Sequence, residues 1–175
     1  MENLPEQDHL LIACIPRLRR YARALVSDHA QADDLVQDTL ERAWNKLALW
    51  RNGSDMRAWL FGIMHNLHVN QVRKPALATV AMDEDAFAQA VRASQSDQLE
   101  VRDLHGALQL LPGDQRAVLL LVALEQMSYE EVANTLDIPI GTVMSRLARG
   151  REKLRVLMQG RAAAPASAVA LKVVK

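Results

Sequence analysis

Between Ser128 and Arg155 the chain sets out basic and hydroxyl side chains at helical spacing: Thr142, Ser145, Arg146, Arg149, Arg151, Lys153 and Arg155. Guanidinium forks match phosphate oxygens and guanine edges in paired hydrogen bonds, so this stretch could hold and read duplex DNA. Arg146 and Arg149 are the candidates for base or adjacent phosphate contact, with Thr142 and Ser145 beside them. Lys153 and Arg155 lie further along and suit the backbone. No comparable group points to catalysis: no nucleophile–base pair, phosphate loop or metal cluster stands out, so no enzyme activity and no cofactor are expected. His65 and His68 are three apart and could share a helix face. With one cysteine, Cys14, and no third histidine at ligand spacing, a DNA-facing or solvated pair is the better reading than a metal site.

These cations need a scaffold. Val132, Ala133 and Leu136 form the apolar face of a short helix. Ile138-Pro139 interrupts it, because proline disfavours helical geometry in the residue before it. Val143 and Leu147 return a second helix onto the first, with small Ala133 at the crossing. Gly150 costs that second helix about 1 kcal/mol relative to alanine. Asp137 occupies the turn, where aspartate tolerates left-handed geometry better than most residues. The layout is a helix-turn-helix; the blander alternative is a helical hairpin with a solvated basic face.

Length and composition allow one domain or two small ones. Half of the residues are hydrophobic but only 4% aromatic, so aliphatic side chains must fill the core. The formal net charge is +0, yet the charge is segregated. From Gly141 to Arg161 six cations face the single acid Glu152. From Pro75 to Glu100 the acids Asp83, Glu84, Asp85, Asp97 and Glu100 face only Arg92. One cysteine permits no internal disulfide. No signal segment and no apolar run near ~20 residues is visible, so a cytoplasmic protein without membrane insertion is expected.

The first half predicts three helices. Leu11, Ile15, Leu18, Ala22 and Leu25 line the first, which ends at Ser27-Asp28. A second is expected from about Ala32 to Leu47, with Val36, Leu40, Ala43, Trp44 and Leu47 inward and acids in its first turns. The Asn52-Gly53-Ser54-Asp55 loop follows, with Ser54 or Asp55 as cap of the third helix. Trp59, Leu60, Ile63, Met64 and Leu67 line that helix, and Trp59 falls on its apolar stripe. Periodicity then fades into an acidic linker of roughly 20 residues before order returns near Leu99. The expected architecture is all-α: residues 1–75, a linker over 76–97, a second helical domain over 98–160, and a frayed tail over 161–175.

Three stretches carry a family resemblance: Ala32-Asp33-Asp34-Leu35-Val36-Gln37-Asp38-Thr39-Leu40-Glu41-Arg42-Ala43-Trp44; Met56-Arg57-Ala58-Trp59-Leu60-Phe61-Gly62-Ile63 with Asn66-Leu67; and Leu111-Pro112-Gly113-Asp114-Gln115-Arg116 with the helix-turn-helix. In this order and spacing the chain resembles the extracytoplasmic-function class of bacterial RNA polymerase sigma factors, up to about Gly160. The resemblance implies regions 2 and 4 of such a factor and no reaction of its own. The first stretch would dock on a coiled coil of the largest polymerase subunit, with Asp34, Leu35, Gln37, Asp38 and Glu41 as contacts, Leu35 being open to a core role instead. The second domain would meet the polymerase flap.

Trp50, Asn52, Ser54, Asp55, Asn70, Arg73 and Lys74 would handle the melted minus-ten element, since an unstacked base needs apolar surface and polar donors. Thr142, Ser145, Arg146, Arg149 and Lys153 would read the minus-thirty-five element. Met144 departs from the basic residue common at its position. An anti-sigma factor is a further implied partner, clamping the two domains and hiding their faces. The rival reading is a sigma mimic that titrates such a factor, although mimics usually carry a receiver domain and a degraded recognition helix. A plain helix-turn-helix repressor leaves the first half unexplained.

Overall fold

The computed structural model describes residues 6–51, 53–73 and 95–162, and it is helical throughout. The helices are α1 (Glu6–Leu25), α2 (His29–Lys46), α3 (Met56–Arg73), α4 (Gln95–Gln109), α5 (Gly113–Ala123), α6 (Tyr129–Leu136) and α7 (Ile140–Ala162), with a 3-10 turn at Leu47–Leu49. No strand occurs among the described residues. Asn52, residues 74–94 and the tail beyond Ala162 lie outside them; the last three residues of the expected linker, 95–97, instead open α4.

Local signals set several helix boundaries. The Asp28 carboxylate accepts from the Ala30 amide at 2.7 Å, which starts α2 at His29, ahead of the expected Ala32. Asp55 does the same for α3 by accepting from the Arg57 amide at 2.9 Å. Ser128 and Glu131 form a reciprocal capping box at the start of α6. At its other end Asp137 adopts φ +53°, the left-handed geometry expected of it.

The first three helices bury Leu18, Tyr21, Leu25, Leu35, Leu60, Phe61 and Met64, with the Tyr21 and Phe61 rings edge to face at 5.0 Å. Trp44, expected inward, is 60% exposed. The buried line of α2 runs through Ala32, Leu35, Val36, Thr39 and Ala43, and Trp44 lies about 100° further round from Ala43. In the second half α5 is wrapped by α6 and α7 around Val118, Leu121, Val132, Val143 and Leu147.

The two halves share one core, and this is the feature that positions everything else. α1 lies on α4 and α5, while α3 lies on α6. Polar contacts stitch the seam. Gln109 Nε2 donates to the Ala24 carbonyl at 3.1 Å, Arg116 donates to the Leu25 carbonyl, and Arg57 donates to the Glu125 carbonyl at 2.9 Å. Arg116 is also bonded to Gln109 Oε1, so its guanidinium ties α4 and α5 to the end of α1. Gly62 lets α3 approach α6: a Cβ there would stand 3.1 Å from the Thr135 carbonyl oxygen.

Candidate functional site

The acidic face of α2 is built by the same periodicity that buries its other side. Asp34, Gln37, Asp38 and Glu41 are all exposed. Gln71 of α3 donates to Asp38 at 3.4 Å, a long contact that leaves most of the carboxylate free. Leu35 does not belong to this face. It is 0% exposed, because it stands on the inward line with Ala32 and Thr39. Trp44, read as core, instead stands in the open, as does Leu49. An acidic strip ending in an exposed indole offers charge and an apolar anchor together, which suits docking against another helix.

The residues expected to handle a melted strand divide. Ser54 and Asp55 are exposed at the start of α3, and Asn70 and Arg73 are exposed at its end. The Ser54 hydroxyl donates to the Arg51 carbonyl at 2.7 Å, and Asp55 is occupied as the helix cap. Asn52 and Lys74 fall outside the described residues. Trp50 was expected beside the base pocket, but it is buried in the core of the first half. The 3-10 turn at Leu47–Leu49 folds the chain back and turns this indole inward, with its Nε1 unpartnered. Trp59 packs only partly against the core. Its remaining surface lines a groove of ≈ 430 Å³ between α3 and α6, shared with Asp55, Gly62, Asn66, Glu131 and Asn134.

On α7 the buried line is Val143, Leu147 and Gly150, which leaves Arg149, Arg151, Lys153 and Arg155 exposed. Arg155 is engaged by Glu152 at 2.7 Å and by Gln159 at 2.8 Å. Arg146 is drawn inward: its Nε lies 3.1 Å from Asp114 of α5, and its side chain is 28% exposed. Ser145 donates to the Thr142 carbonyl at 3.1 Å, a bond within the helix. Arg149 is therefore the freer of the two arginines singled out from the sequence.

His65 and His68 are both partly buried, and no group of three or more metal-binding side chains occurs among the described residues. His65 is largely enclosed with Nδ1 unpartnered, and its pKa falls to about 4. Burial is the main cause, followed by His68 and by Arg146 of α7.

Sequence reasoning missed the seam. Its centre is Glu125, which is 1% exposed and takes Arg20 at 2.8 Å and Arg17 at 3.7 Å from α1. Gln126 adopts φ +55° and turns the chain so that the Met127 amide donates to the Leu121 carbonyl at 3.1 Å. That turn keeps Glu125 against the core. A signal was present: Glu125 continues the buried line of Val118 and Leu121 at helical spacing, an unusual place for a carboxylate.

Known proteins match this arrangement. The family model for the Sigma2 domain of PhyR covers residues 11–65, and that for Sigma-70, region 4, covers residues 102–154. The ECF RNA polymerase sigma factor EcfG of Rhodopseudomonas palustris is 37% identical over 150 residues, spanning 85% of this chain and 82% of that protein. The ECF RNA polymerase sigma factor SigL of Mycobacterium tuberculosis is 32% identical, spanning 81% of this chain and 82% of that protein. Among solved structures, the sigma factor RpoE of Bartonella quintana, in complex with the anti-sigma factor NepR, superposes with a TM-score of 0.72. It is 34% identical over 87% of this chain and 96% of that one.

Proposed function

Because this chain belongs to the extracytoplasmic-function class of bacterial RNA polymerase sigma factors, we propose that it binds core polymerase through α2, engages the minus-ten element through α3 and reads the minus-thirty-five element through α7. The observation that carries this reading is the coexistence of an exposed acidic α2 face and an exposed basic α7 face in one chain. Asp34, Gln37, Asp38, Glu41 and Trp44 make the polymerase contact. Ser54, Asn70, Arg73 and the half-covered Trp59 face the opened strand. Arg149 and Lys153 meet the duplex, with Arg146 joining them once Asp114 lets go. The protein acts in the cytoplasm beside its polymerase; no helix among the described residues is long and apolar enough to cross a membrane.

The closed seam supports a regulatory step. Promoter elements about 25 base pairs apart are separated by ~85 Å at 3.4 Å per base pair. A compact chain of this length has a radius of gyration of only about 16 Å. Closed, it cannot reach both elements, so promoter binding requires α3 to leave α6. An anti-sigma partner seated in the groove that both halves line would hold the seam shut.

Run-off transcription by core polymerase on genomic fragments, with and without this protein, tests the reading. Discrete transcripts that depend on the protein are expected, and none at all would overturn it. The second reading, a mimic that only sequesters an anti-sigma factor, is favoured by the PhyR-type model over residues 11–65. It predicts capture of that factor with no dependent transcript.

A further inference from the structure

α7 carries two different flanks beside its buried line. Thr142, Arg146, Arg149 and Lys153 cluster on one side at helical spacing. On the roughly opposite side run Ile140, Met144 and Ala148, four apart and drifting by about 40° at each step. All three are exposed, Ile140 at 42% and Met144 at 52%. Arg151 and Arg155 continue the same strip toward the C-terminus. The first two turns of this flank are thus apolar and solvent-facing, on the part of the helix that a helix-turn-helix inserts deepest. Packing within the chain does not account for them, because the core of this domain is closed by Val143 and Leu147.

A helix 10–12 Å across fills a major groove about 12 Å wide, so its outward face and both flanks lie against DNA. The cationic flank finds phosphates and guanine edges. An aliphatic flank can do neither. One feature of the major-groove edge rewards apolar contact, the C5-methyl group of thymine. Methionine suits it well, being unbranched, polarisable and able to adjust to a methyl whose position shifts with base step. With Arg146 bound to Asp114 at 3.1 Å, the reading helix also has less guanidinium available than its sequence implies.

We propose that Met144, flanked by Ile140 and Ala148, is a specificity-determining residue that packs against thymine methyl groups in the upstream promoter element. The inference rests on α7 being the reader of that element. It makes the preferred element thymine-bearing on at least one strand at the positions met by the first two turns.

The test uses the full chain bound to core polymerase. Duplexes randomised across the upstream element are selected for holoenzyme binding, and a winning duplex is resynthesised with uracil for each upstream thymine in turn. Uracil keeps the pairing and the hydrogen-bonding edge and lacks only the methyl. At one or more positions the uracil duplex should bind about fourfold more weakly, the equivalent of one buried methyl group. Met144→Ala should bind thymine and uracil duplexes alike at that position, and Met144→Leu should keep the discrimination. Equal binding of uracil duplexes at every upstream position overturns the inference, as does discrimination that persists in Met144→Ala or an enriched element without thymine. Failure to enrich any upstream sequence is a different result: it removes the reading of α7 on which the inference stands, and the inference with it.

Discussion

The carboxylate of Glu125, carried by the turn after α5, accepts from the guanidinium of Arg20 on α1 at 2.8 Å, while the Glu125 side chain is 0% exposed. A buried charge in the seam makes closure conditional on its partner, since desolvating a lone carboxylate costs far more than pairing it returns. Arg20→Ala leaves the Glu125 carboxylate only the 3.7 Å contact with Arg17. Arg20 is itself 54% exposed, so water moderates the loss to about 1–2 kcal/mol of closing free energy. Limited proteolysis and interdomain fluorescence transfer should both report a more open chain. Glu125→Gln in the Arg20→Ala background should recover part of the closure by removing the orphaned charge.

Gly62 is a position at which size alone should decide closure. The atoms nearest an added Cβ belong to Thr135 on the far side of the seam. Gly62→Leu therefore clashes only in the closed arrangement, while α3 gains up to about 1 kcal/mol of helix propensity. Small-angle scattering should show the radius of gyration rising above its compact value, with helical content unchanged. Polymerase association should be equal to or stronger than that of the parent chain.

The helix-turn-helix was legible because every part of it is local. The Val132–Leu136 face, the left-handed Asp137 and the Val143–Leu147 return all lie within twenty residues, where spacing determines geometry. The three leading helices were legible for the same reason. Trp44 was misassigned, and Leu35 was left open between contact and core, because an amphipathic stripe gives an angle but not its edges; residues 100° from its centre can fall either way. Trp50 depends on a 3-10 turn that periodicity does not announce. Beyond the misplaced carboxylate of Glu125, the seam could not be read because its partners are far apart in sequence: Arg20 with Glu125, and Gly62 with Thr135. Nothing local distinguishes Arg20 from the solvated Arg19 beside it.

His65 should make the fold acid-sensitive. Its pKa drops from 6.5 to about 4 on folding, so below the unfolded value the unfolded chain binds a proton that the folded chain refuses. Its contribution is intact above about pH 6.5 and is lost as pH falls toward 4, by roughly 3 kcal/mol at most. His68, Arg116 and Arg146 are the other charged groups nearby, and His68 shifts in the same direction by burial and then by Arg116. Denaturant melts between pH 4 and 7 should show this slope, and His65→Gln should flatten part of it.

Polymerase and DNA contacts should separate by substitution. Asp38→Ala should weaken core polymerase binding, by about 0.5–1.5 kcal/mol for one exposed charge, and leave upstream DNA selectivity unchanged. Arg149→Ala should weaken promoter binding by about 1–3 kcal/mol and leave polymerase binding intact. Co-purification with core polymerase and promoter retention in a gel shift measure the two independently.

The distance between the two halves is the most direct measurement. Spin labels at Asn66 on α3 and Asn134 on α6, both exposed and lining the same groove across the seam, should give a single short distance in the free chain. In the holoenzyme on a promoter the same pair should lengthen by tens of ångströms, as elements ~85 Å apart require. An unchanged short distance in a transcribing complex would contradict closure as the state that must open.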